Sequence, residues 1–99
     1  MDLYNQIMKT LRILVIGKVQ GVWFRRSTQK MALKFGLKGT VQNLEDERVE
    51  IVASGSKEGL VKLIEWSKKG PELAKVKDVL IEEKDFILFK DFQILRQNG

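Results

Sequence analysis

The sequence contains no cysteine and no histidine, and it has a single proline. Without thiolate or imidazole groups it can build neither a Cys/His zinc site nor a nucleophile–histidine pair, so the commonest hydrolytic constellations are excluded at the outset. Any chemistry has to come from Arg, Lys, Asn, Gln, Ser, Thr, Tyr, carboxylates and backbone amides. The missing disulfides are compatible with a reducing compartment without requiring one. No apolar run approaches the roughly 20 residues that cross a bilayer, and the opening MDLYNQIMKTLR has no apolar signal centre. The expectation is a cytoplasmic protein with no membrane partner. Long runs of like charge are also missing. The 13 acidic residues are interspersed among the 18 basic ones, and the formal charge of +5 favours anionic partners while reading mostly as a mixed solvated surface.

What is present fits one domain, because 99 residues suffice for a single core and leave no room for a second. Residues 1–9 show no sustained period and are read as a tail, 10–96 as the domain, and 97–99 as a second tail. Residues 10–19 read as a central strand, with Leu11, Ile13 and Val15 on one face and Leu14 and Ile16 on the other. The spacing of Phe24, Thr28, Met31, Ala32 and Phe35 predicts a helix over 22–35 that stops at Gly36. Two strands, 38–44 and 48–53, joined by LEDE, predict a hairpin. Ser56 is placed to cap a second helix with a buried stripe of Leu60, Leu63, Ile64 and Ser67, ending near Gly70 and Pro71. A strand over 75–83 follows, where the three-residue step from Val76 to Val79 suggests a bulge, and a short strand over 92–96 closes the chain. The expected class is α+β, a ferredoxin-like α/β sandwich of β-α-β-β-α-β order plus a short C-terminal strand. Its antiparallel sheet is covered on one face by two helices. That fold hosts many functions, so function has to be argued from a site.

The candidate site is the strand-to-helix connection GKVQGVWFR, residues 17–25. Gly17 and Gly21 free the backbone to curl. Successive N–H groups from Lys18 through Val19, Gln20, Gly21 and Val22 can then converge on one concavity, where the helix start adds partial positive charge. Arg25, in the first helical turn, carries a planar fork of donors suited to phosphate oxygens. Spacing alone leaves a second reading open, in which the glycines serve an ordinary connection and Arg25 is a solvated side chain. Trp23 and Phe24 are read as core.

GKVQGVWFR resembles the G-x-V-Q-G-V-x-F-R signature of the acylphosphatase family. GLKGTVQNLEDERVE, residues 36–50, is similar to that family's second signature, and GPELAKV, residues 70–76, to the run before its fourth strand. The three stretches occur in the family's order and the likeness spans about residues 10–96. It implies a small hydrolase that cleaves the carboxyl–phosphate anhydride of acyl phosphates to a carboxylate and inorganic phosphate. It further implies that Arg25 and the backbone of Gly17, Lys18, Val19, Gln20, Gly21 and Val22 bind the phosphoryl group, and that Asn43 positions the attacking water. On the residues alone, without the second signature, the preferred reading of Asn43 is a turn-adjacent side chain bonded to its own backbone.

These roles suit the chemistry. An acyl phosphate is an activated anhydride with a good leaving group, so it needs positioning and charge compensation rather than a nucleophile. No metal or other cofactor is expected, and Asp46 and Glu47 are read as turn residues. Ser27 and Thr28 fall inside the helix, where packing or back-bonding suits Thr28. The partner expected is a small acyl phosphate, with a monomeric protein. Two departures from the family pattern stand out. Asp46-Glu47 replaces the usual Asp-Gly of the hairpin, so either the turn type differs or Glu47 takes a backbone conformation unfavourable for it. Thr40 stands where an aromatic residue is frequent. A non-catalytic ferredoxin-like binding domain is the alternative. An RNA-binding module of this order would stack bases on aromatic residues of its central strands, and the two read as central here have none.

Overall fold

The computed structural model describes residues 7–96 of the chain. The elements follow in the order β1 (Met8–Lys18), α1 (Phe24–Lys34), β2 (Lys38–Asn43), β3 (Val49–Ser56), α2 (Lys57–Ser67), β4 (Lys75–Lys84) and β5 (Phe92–Ile94). They form one sheet of order β4-β1-β3-β2-β5. The first four positions are antiparallel, as expected, and β1 and β3 are central. The sheet is not antiparallel throughout, however, because β5 pairs parallel with β2. β1 also starts earlier than expected: Met8 and Lys9, assigned to the tail, pair with Ser56 and Gly55. The rest of that expected tail, residues 1–6, and the expected C-terminal tail, 97–99, lie outside the described residues.

Period-two alternation decides which face the helices cover. Ile13 and Val15 of β1 and Val49, Ile51 and Ala53 of β3 are wholly buried. Each such valine or isoleucine side chain contributes roughly 1.5–3 kcal/mol relative to an exposed one. α1 adds Phe24, Thr28 and Ala32 to this core, and α2 adds Leu60 and Leu63. Where the helices meet, the rings of Phe24 and Trp66 stand 5.3 Å apart at a tilt of 54°, an arrangement favoured by the ring quadrupoles. Ser56 caps α2, its hydroxyl accepting the Gly59 N–H at 3.1 Å. α1 ends where the Leu37 N–H reaches back to the Ala32 carbonyl at 2.8 Å and that of Gly36 to Leu33 at 3.1 Å, a closure that satisfies two last-turn carbonyls.

The bulge read from the Val76–Val79 step is present. Ile16 faces Asp78 and Gly17 faces Val76, so Lys77 is the extra residue of β4. Thr28 is fully buried and its hydroxyl has no partner among the described residues, so of the two roles expected for it packing is the one observed. Among the described residues, no helix is long and apolar enough to cross a membrane.

Candidate active site

β1 ends at Lys18 and α1 begins at Phe24, which leaves residues 19–23 as the connection. Gly17 and Lys18 are therefore the last residues of a strand, opposite Val76 and Lys75. Gly17 adopts φ 136°, and a Cβ there would run into the Lys75 carbonyl and lie 2.8 Å from the Lys77 nitrogen. Its lack of a side chain thus serves the close approach of the β4 bulge. Gly21 is different: a Cβ would meet nothing, but φ is 72°, a left-handed conformation that glycine takes without steric cost. Val19 and Val22 point into the core. The N–H groups of Gln20, Gly21 and Val22 donate to no backbone carbonyl among the described residues.

The start of α1 has the same open character. Its N-cap residue, Trp23, makes no side-chain cap and its first turn holds no acidic residue, whereas α2 has the Ser56 cap and Glu58. A helix start left with unpaired N–H groups and a positive dipole end favours an anion.

Asn43 reaches the same place from β2, which lies across β3 from β1 in the sheet. It is the last residue of β2, paired with Val49 just before the hairpin turn. The turn closes by the Leu44 N–H to the Arg48 carbonyl at 2.8 Å and the Glu47 N–H to the Leu44 carbonyl at 3.2 Å. Of the two turn possibilities left by Asp46-Glu47, the second holds: Glu47 adopts φ 72°, a conformation that costs a non-glycine residue about 1–2 kcal/mol. Asp46 helps to hold it, pairing with the Arg48 guanidinium at 2.6 Å. The hydrogen bond from the Arg48 side chain, with the Arg48 charge, keeps the Asp46 carboxyl below its ordinary pKa.

Gln20 joins the two halves. Its side-chain amide donates to the Leu44 carbonyl at 2.8 Å and the Arg48 carbonyl at 3.0 Å. The side chain of Gln20 is thus turned to the hairpin, tying the connection that leads into α1 and Arg25 to the turn that follows Asn43. Sequence reading counted Gln20 for its backbone and missed this role, which nothing in the local pattern signals.

Arg25 and Asn43 line one hollow of about 180 Å³ together with Val19, Gly21, Trp23 and Phe24. It shares Trp23, Arg25 and Asn43 with a larger cleft of about 550 Å³, which Arg26, Ile94 and Arg96 also line. Of the eight residues assigned to the site from sequence, Val19, Gly21, Arg25 and Asn43 line the hollow. The side chain of Gln20 supports it from the hairpin side, Val22 is core, and Gly17 and Lys18 end the strand behind it. Trp23 corrects the expectation for it: Phe24 is core, but Trp23 is 68% exposed at the cleft mouth. Ile94 and Arg96 also went unread, since they arrive only through the fold. The Gln29 amide donates to the Phe92 carbonyl at 2.8 Å and so holds β5 beside α1. Among the described residues, no group of three or more Asp, Glu, His or Cys is placed to hold a metal ion.

A family model described as Acylphosphatase matches residues 11–94. An acylphosphatase of Methylococcus capsulatus is 43% identical over 90 residues, covering 90% of this chain and 98% of that protein. The structure of an acylphosphatase from Coxiella burnetii is similar with a TM-score of 0.86 at 39% identity, over 89% of this chain and 93% of that one. The acylphosphatase crystal structure from Bacillus subtilis is similar with a TM-score of 0.85 at 38% identity, over 90% and 99%. With a family model and relatives this close agreeing over most of its length, the chain belongs to the acylphosphatase family of hydrolases.

Proposed function

We propose that the protein hydrolyses acyl phosphates by direct attack of water on a phosphoryl group seated between the backbone of the 19–22 connection and Arg25. The observation that carries this reading is that Arg25, from the first turn of α1, and Asn43, from the end of β2, line one small hollow with Val19 and Gly21. The phosphoryl oxygens meet the open N–H groups of the connection, the start of α1 and the Arg25 fork. This is an arrangement that stabilises charge on equatorial oxygens as the phosphoryl passes through its loose transition state. Asn43 stays neutral and orients the attacking water by its amide, opposite the departing carboxylate. Water adds to phosphorus, the bond from phosphorus to the acyl oxygen breaks, and the proton of water ends on the inorganic phosphate. The leaving carboxylate is a weak base, so no general acid is needed, which is how a chain without histidine or cysteine can catalyse the reaction. Protein groups supply the positive field, and a metal ion has no part in this reading.

The test is steady-state hydrolysis of benzoyl phosphate, with a chelator present, by the wild type and Arg25→Ala. Removing a donor aimed at developing charge costs on the order of 10²–10³ in rate, and Arg25 also binds the ground state, so turnover of the variant is expected to fall below detection while its circular dichroism is unchanged. Retention of most activity would remove Arg25 from the mechanism.

A further inference from the structure

The arginines divide into two groups. The sequence has five, at positions 12, 25, 26, 48 and 96. Arg12 is paired with Glu50 and Glu82, and Arg48 with Asp46. Among the described residues, Arg25, Arg26 and Arg96 form no ion pair, all three line the same 550 Å³ cleft, and no carboxylate contributes to its lining. Three guanidinium groups gathered without counter-charge repel one another, since like charges at close range in a partly desolvated cleft disfavour the arrangement. Such a grouping fits a ligand with more than one negative centre.

A phosphoryl group seated in the small hollow accounts for Arg25 and leaves Arg26 and Arg96 facing the space where the other half of the anhydride must lie. The cleft shares Trp23, Arg25 and Asn43 with the hollow, so it is the space adjoining the phosphoryl group into which the acyl half can extend. Trp23 walls both the hollow and the cleft. It is exposed and held at φ 66°, a strained conformation for a tryptophan that packing in the core does not explain.

We infer that Arg26 and Arg96 form a subsite for an acyl group that carries its own negative charge, with the Trp23 indole as its apolar wall. This rests on the phosphoryl site proposed above. It makes the enzyme selective for acyl phosphates whose carboxyl-bearing part ends in a second anionic group.

The experiment compares para-carboxybenzoyl phosphate with its neutral near-isostere para-carbamoylbenzoyl phosphate, reading the ratio of their kcat/KM values in the wild type and in the double variant Arg26→Gln/Arg96→Gln. Comparing the two proteins cancels the intrinsic reactivity of the reagents. The wild type is expected to favour the carboxylate by roughly fivefold or more relative to the double variant, as two charge-assisted contacts at a half-open site provide, and added salt is expected to erode the difference. An equal ratio in the two proteins would overturn the subsite. Arg25→Ala separates the layers: if it turns over both reagents like the wild type, the phosphoryl site itself has failed, whereas loss of both with an unchanged Arg26/Arg96 ratio rejects the acyl subsite alone.

Discussion

Arg25 and Asn43 share a hollow, yet their loss is expected to register differently in the kinetics. In the proposed mechanism Arg25 holds the phosphoryl group in the ground state and the transition state, whereas a water-orienting amide at Asn43 acts on the second reactant. Asn43→Ala should therefore lower kcat on benzoyl phosphate by on the order of a hundredfold while moving KM far less. A large rise in KM at nearly constant kcat would make Asn43 a substrate-binding residue. That the two would meet was legible in the sequence, because both sit inside motifs that frame one strand-to-helix connection and one hairpin. Trp23 was not. An apolar side chain beside Phe24 reads as core by composition, and only its left-handed backbone, which turns it outward at the head of α1, places it at the cleft. Glu47 lies between these cases: the sequence posed the conflict at the turn, and the φ of 72° settles it at the expense of the side chain.

At the scale of elements, the site depends on how a connection and a hairpin are held together, and Gln20 carries that link. Replacing it by leucine removes two hydrogen bonds to the Leu44 and Arg48 carbonyls, each of which keeps a backbone partner in the turn. The stability cost is accordingly expected to be modest, about 1 kcal/mol by denaturant unfolding. The loss of kcat/KM on benzoyl phosphate should be larger than that cost alone suggests, because small displacements of positioned groups are expensive in rate. Full activity in Gln20→Leu would show that the two elements keep their register without it. Helix stripes, the Ser56 cap and the β4 bulge were readable because each leaves a periodic or positional trace. The direction of β5 was not, since three paired residues carry no sign of orientation and the preceding connection decides which way the strand enters the sheet. The early start of β1 went unread for a related reason: Met8 and Lys9 are strand by pairing with β3 and not by alternation.

Across the whole molecule the sheet separates two kinds of interaction. The helices cover one face with the apolar core. On the other, a run of polar side chains crosses β2, β3, β1 and β4: Gln42 donates to Glu50 at 2.8 Å, Arg12 to the second oxygen of Glu50 at 2.6 Å, and Arg12 reaches Glu82 at 3.8 Å. The net charge of the sequence could not reveal this placement, because it does not say which cations find partners and which are left at the cleft. Burial alone would raise the pKa of the Glu50 carboxyl. The hydrogen bonds from Gln42 and Arg12 and the Arg12 charge outweigh burial and hold it below its ordinary value of 4.5. A carboxylate whose folded pKa is depressed adds stability above its unfolded pKa and loses it as pH falls through the folded value. Glu50→Gln should therefore be less stable than the wild type at neutral pH, and the gap should close as the solution is acidified below about 4.5. Denaturant unfolding of both proteins across the acid range measures this directly. A gap that stays constant into strong acid would show that Glu50 contributes through packing and not through its charge.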